Sequence, residues 1–150
     1  MTEQKIAPRV MEVVQQDQGI LKTFNMQVVH AWDGVCEIVS QIPANMVNAS
    51  GFAHGSIAFS MMDTACAYAL GSTQRRGVTV HGDTTYVRGG VAGSTFKARV
   101  QIASASKRVA TLRGEVFVQL DVEESDNSES SVEWALSAHG TYVFQLRVED

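Results

Sequence analysis

A chain of 150 residues has the length of one ordinary domain, and 45% hydrophobic residues with only two prolines give it material for a real core and no disordered tract. The formal net charge of -4 argues against a nucleic-acid partner, which calls for basic patches, but leaves room for an anionic small ligand held by a few local cations. No run nears the roughly 20 apolar residues of a membrane span, and Glu3, Lys5 and Arg9 interrupt the N-terminus where a signal peptide would be apolar, so no membrane and a cytoplasmic location are expected.

Along the chain, Ile6, Val10, Val13 and Val14 fall at helical spacing and predict a short N-terminal helix ending near Gly19. Residues 24–31 and 35–42 are two β-rich runs around Asp33-Gly34, a strong hairpin signal, and Pro43 closes the unit. A small polar loop follows over 48–52. From His54 to Leu70 nearly every position is apolar, and Gly71 and Ser72 supply a stop, which predicts a buried helix of about four to five turns. The remainder reads as four strands: 78–88, 95–103, 109–122 and 132–148. Residues 123–131, acidic and Ser-rich, read as a loop between the last two. The expected class is α+β, one antiparallel sheet wrapped around one long central apolar helix with a short N-terminal helix beside it, as a single domain over 1–150.

Cys36 and Cys66 lie in apolar surroundings and read as buried thiols. Two cysteines and four dispersed histidines make no ligand spacing, so no metal is expected.

Asp63 is out of place in the apolar helix, among Met61, Met62, Ala65 and Cys66. Burying an unpaired carboxylate is costly. A solvated helix edge, or an ion pair with Arg75, Arg76 or Arg88, is the bland account of it. Against that account stands His54-Gly55 at the helix start, where unpaired N–H groups carry partial positive charge and a glycine lets a ligand approach. Such an N–H can polarise a carbonyl. Asn48, Gly51 and His54 add polar groups nearby, although a histidine at this position is by itself more often a helix cap than a catalytic group. Gly55 and Asp63 are eight residues apart, about 12 Å along a helix, too far for one carbonyl carbon to meet both. If both act on one substrate, they come from different chains of a two-fold dimer.

These residues carry a resemblance. Asn48, Gly51, His54-Gly55 and then Asp63-Thr64-Ala65, with Tyr68-Ala69 further on, resemble the signature of hotdog-fold thioesterases of the phenylacetate-degradation (PaaI) type: Asn, two residues, Gly, two residues, His-Gly-Gly, then a helix bearing Asp-x-Ala. The strand order fits as well, so the likeness covers most of the chain beyond the N-terminal helix. It implies an acyl-CoA thioesterase in which Asp63 is nucleophile or general base and the Gly55 N–H binds the thioester oxygen. His54 and Asn48 would position the carbonyl or water. It further implies a homodimer with shared sites, paired into a tetramer, with no cofactor because CoA belongs to the substrate. Ser56 stands where the family has a second Gly, and its hydroxyl could donate to the substrate. Thr84 or Thr85 could bond the carboxylate or substrate, and Arg88, or Lys107-Arg108, the CoA phosphates. The acidic loop would repel phosphates and is expected away from the site. Phe59, Met62, Tyr68 and Tyr86 could line an acyl pocket or simply be core.

Three rival functions are compatible with parts of this pattern. A hotdog hydroxyacyl-thioester dehydratase would aim His54 with Asp63 at the α and β carbons. A non-catalytic acyl-CoA-binding protein would keep the fold alone, but usually carries a DNA-binding appendage, and no basic helix-turn-helix is visible. A serine hydrolase lacks its Gly-x-Ser-x-Gly elbow here.

Overall fold

In the computed structural model, residues 3–120 and 132–148 are described. The elements in chain order are α1 (Pro8–Gln16), α2 (Gln18–Thr23), β1 (Met26–Trp32), β2 (Val35–Gln41), a 3-10 turn at Ala44–Met46, α3 (Gly55–Gly71), β3 (Gly77–Gly82), β4 (Thr85–Tyr86), β5 (Thr95–Ala105), β6 (Val109–Leu120) and β7 (Glu133–Leu146). The strands form one antiparallel sheet in the order β1-β2-β5-β6-β7-β3, with β4 also on β7. The chain leaves β2 near one edge, crosses the inner face as α3, and resumes as β3 on the far edge. This is the sheet around a central helix that the sequence predicts.

Alternation explains how the sheet holds the helix. Phe96, Ala98 and Val100 of β5, Leu112, Val116 and Val118 of β6, and Ala138, Tyr142 and Phe144 of β7 point inward and are buried. They meet Ile57, Met61, Met62, Ala65, Cys66 and Leu70 of α3, all fully buried. Gly114 permits the close approach: a Cβ there would stand 2.9 Å from the Met62 sulfur and 3.0 Å from Val100. The Asp33-Gly34 hairpin is as expected, with φ of 52° and 80° as a type I′ turn requires. Its Gly34 N–H donates to Ser72 Oγ at 2.9 Å, tying the turn to the end of α3.

Two expectations need correction. The N-terminal helix is two pieces, continues through Gly19 to Thr23, and breaks at Asp17. The Asp17 carboxylate accepts the Tyr68 hydroxyl at 2.8 Å, which pins the break against α3, a long-range contact that local periodicity does not carry. The run 78–88 is also not one strand. It parts at Asp83, whose N–H donates to Thr141 O at 3.0 Å while its carboxylate accepts from Thr141 N–H at 3.2 Å. The acidic loop, and its expected position away from the site, lie outside the described residues. Among the described residues no helix is long and apolar enough to cross a membrane.

Candidate active site

The start of α3 is built from the loop before it. Asn48 Oδ1 accepts the N–H groups of Ser50 (2.9 Å) and Phe52 (3.1 Å), and Gly51 takes a φ of 84° that a side chain would resist. Two backbone donors on Oδ1 fix the orientation of the amide, so what Asn48 has left to offer a ligand is its Nδ2 hydrogens.

His54 caps the helix. Its Nδ1 accepts the Ser56 N–H at 3.1 Å and lies 2.7 Å from Ser56 Oγ. An N–H can only donate, so Nδ1 is bare and the neutral ring carries its proton on Nε2, which is then a hydrogen-bond donor. The Ser56 hydroxyl is thus engaged with His54. The Ile57 N–H is taken by His54 O at 3.0 Å, which leaves the Gly55 N–H as a donor without a partner among the described residues.

Above it, Tyr86 Oη donates to Gly55 O at 2.6 Å, and a Cβ on residue 55 would stand 3.1 Å from that oxygen. The ring of Tyr86 is exposed, but local desolvation of its hydroxyl at the helix start pushes the phenol above its usual pKa, and it serves as a neutral donor. Tyr86 is carried by β4, and the segment after it is held by a bulge in β7: Ser137 interrupts the register with β6, its carbonyl accepts Val87 N–H (2.8 Å) and Arg88 N–H (3.1 Å), and its hydroxyl donates to Arg88 O at 2.6 Å. The result is a cleft of about 390 Å³ in which Asn48, His54, Gly55 and Arg88 come together with Phe52 and Tyr86.

Asp63 does not line that cleft. It is half-buried, not sequestered. Its partner is the Thr79 hydroxyl, which donates to Oδ1 at 2.6 Å from the edge strand β3. Two of the expected arginines are engaged elsewhere: Arg75 donates to the carbonyls of Ser106 and Lys107, and Arg88 lines the helix-start cleft. The side chains behind it are Tyr142 and Cys66, with phenol and thiol both raised by burial first and further by the Asp63 charge, Tyr142 to about 12. Cys36 is raised likewise, chiefly by burial, so neither cysteine offers a thiolate.

Thr84 shares a 3.0 Å hydrogen bond with the Tyr142 hydroxyl, and Thr85 sits exposed in β4, so within the protomer neither touches Asp63. Lys107 and Arg108 lie by Arg75, beyond the C-terminal end of α3 and far from Gly55. Tyr68 and Met62 are core; Phe59 and Tyr86 are exposed. The residues missed in the sequence are Thr79 and Ser137. A threonine in a strand sixteen positions from Asp63 and a serine in the last strand carry no local signal. A larger cleft, about 660 Å³ and lined by Arg99, Arg113, Glu115 and His139, opens on the outer face of the sheet and shares only Asp83 and Thr141 with the region around β3. Among the described residues no group of three or more His, Cys, Asp or Glu side chains is disposed to hold a metal.

The fold and the helix-start cleft define a class, the hotdog proteins. Residues 50–124, half of the sequence, match the family model described as the Thioesterase superfamily, and the chain belongs to that superfamily as a hotdog-fold thioester hydrolase of PaaI type. It is 26% identical over 104 residues to the acyl-coenzyme A thioesterase PaaI of Escherichia coli, covering 69% of this chain and 74% of that one. The structure of the E. coli PaaI protein superposes with a TM-score of 0.76 at 20% identity, covering 91% of this chain and 94% of that one. A hypothetical thioesterase protein from Streptococcus pneumoniae, solved with coenzyme A, gives 0.77 at 14% identity, covering 91% and 98%. A variant of the phenylacetic acid degradation protein PaaI from Thermus thermophilus gives 0.68 at 26% identity, covering 83% and 96%.

Proposed function

We propose that this chain hydrolyses acyl-CoA thioesters to a carboxylic acid and CoA, at two equal sites shared across a homodimer. The observation that carries the reading is the separation of the two halves. Gly55, whose N–H has no partner among the described residues, lines a cleft, while the hydroxyl-held carboxylate of Asp63 lies on the same helix outside it. The name of the E. coli relative supports acyl-CoA as the substrate.

In this mechanism the Gly55 N–H binds the thioester oxygen and stabilises the charge that develops there. The His54 Nε2–H and the Asn48 Nδ2 hydrogens are further donors at the same carbonyl or at the attacking water. Asp63 of the other chain either attacks the carbonyl, giving a mixed anhydride that water then opens, or takes the proton of an attacking water. Arg88, exposed and lining the cleft, is the residue proposed to meet a CoA phosphate. The exposed edge strand β3, with Val78 at 64% and Val80 at 57% exposure, is the surface for antiparallel pairing of two chains. A dimer of dimers would use the outer face of the sheet, where the half-buried Phe117 and Leu136 stand opposite each other.

The test is release of free thiol from a panel of acyl-CoAs by wild type and by Asp63→Asn. Turnover in wild type that falls by about a thousandfold or more in the variant, with unchanged circular dichroism, is expected for a nucleophile or base. Equal rates in both proteins would remove Asp63 from the reaction. In single-turnover hydrolysis in oxygen-18 water, label in the Asp63 side chain marks direct attack followed by water opening the anhydride at the Asp63 carbonyl.

A further inference from the structure

Phe59 is the one large apolar side chain that α3 leaves exposed, at 37%. It stands four residues after Gly55 and four before Asp63. The three positions therefore run down one side of the helix, each about 6 Å further along and turned by about 40°. In its own protomer the ring only tilts against Tyr142, with centroids 5.5 Å apart, and Gly82 makes room for it, since a Cβ there would lie 3.3 Å from Phe59 Cζ. A two-fold axis that brings Gly55 of one chain to Asp63 of the other relates residues whose numbers sum to 118. The one position paired with itself is 59, where the exposed aromatic stands.

We infer that the two Phe59 rings meet on the dimer axis and form the wall shared by both sites, which restricts the substrate to a compact acyl group. The inference rests on the shared-site reading above. The thioester carbonyl lies at the Gly55 end, beside a cleft that takes in Ala58 but not Phe59. The charged CoA arm has to stay in water, so it leaves past the exposed Arg88. The acyl group then runs the other way, along the helix pair toward the axis. From the carbonyl to the axis is half the Gly55–Asp63 separation, about 6 Å. That length takes a short chain or a single ring and stops a long chain at the aromatic wall.

Rates on butyryl-, benzoyl- and decanoyl-CoA for wild type, Phe59→Ala, Phe59→Leu and Phe59→Trp provide the test. Wild type should favour the two compact substrates. Phe59→Ala should raise kcat/KM for decanoyl-CoA relative to butyryl-CoA at least tenfold, Phe59→Leu should do so by less, and Phe59→Trp should lower it. Phe59→Leu keeps an apolar contact with Tyr142 should the alanine variant fold poorly. A second readout is Phe59→Cys with a short bismaleimide, which should yield covalent dimer over a quiet background, because Cys36 and Cys66 are buried. A wild-type preference for decanoyl-CoA, or selectivity unchanged in all three variants while Asp63→Asn still abolishes turnover, overturns the wall and leaves the shared site standing. Turnover retained by Asp63→Asn defeats the site reading itself.

Discussion

A carboxylate that accepts a hydroxyl at 2.6 Å is held in one orientation, and Asp63 stands on a half-buried helix face where that bond fixes it. Thr79 supplies that restraint from β3. Thr79→Ala should lower kcat/KM by about tenfold, ~1.4 kcal/mol of transition-state stabilisation, and Thr79→Ser should restore most of it, because the hydroxyl and not the methyl makes the bond. Steady-state kinetics on one acyl-CoA for the three proteins check this; a serine variant as slow as the alanine variant would mean that the threonine acts through packing. At this scale Asp63, Gly55, His54 and Asn48 were legible because each breaks a local rule: an acid in an apolar helix, a glycine at a helix start, and polar loop residues around it. Thr79 breaks none, since a threonine is ordinary in a strand. Ser56 was legible as a departure from the family pattern, but its bond to His54 Nδ1 exists only once the helix cap has formed.

The central element is a helix with almost no polar side, lodged against the inner face of a sheet. Its depth is set by a small residue across from it. Gly114 of β6 lies under Met62 and beside Val100, with 2.9 and 3.0 Å available where a Cβ would go. Gly114→Ala should destabilise the fold by about 1–3 kcal/mol through overpacking. At roughly 2–4 °C per kcal/mol for a chain of this size, calorimetry resolves the shift. No change in Tm would show that the Met62 side chain yields without cost. Elements with a strong internal period were legible at this scale: α3, the β1–β2 hairpin and the three long strands. The breaks at Asp17 and Asp83 were not. Each is made by a hydrogen bond to a residue more than 50 positions away, Tyr68 in one case and Thr141 in the other.

At the scale of the whole molecule, the proposed site takes Gly55 from one chain and Asp63 from another. Complementation checks it. Gly55→Val, whose side chain would run into Tyr86 at about 3.1 Å, should be inactive, as should Asp63→Asn. After unfolding and refolding together in equal amounts, half of the dimers carry both lesions in one site and neither in the other, so about a quarter of wild-type activity should return. A mixture as dead as its components would place both groups of a site in one chain.

The order of apolar and polar residues along this chain determined the helix, the hairpin and the long strands, because each is dictated by a period of neighbours. The family motif marked one end of α3 and its carboxylate for the same reason: its residues lie within one local segment. What only the tertiary structure decided is which distant groups meet them. Thr79 comes to Asp63 because the crossover of α3 returns the chain as the edge strand. Tyr86 comes to Gly55, and Ser137 to Arg88, because a bulge in β7 bends that edge over the helix start. These contacts join elements far apart in the chain, and neither periodicity nor composition encodes a meeting that depends on how the sheet closes around the helix.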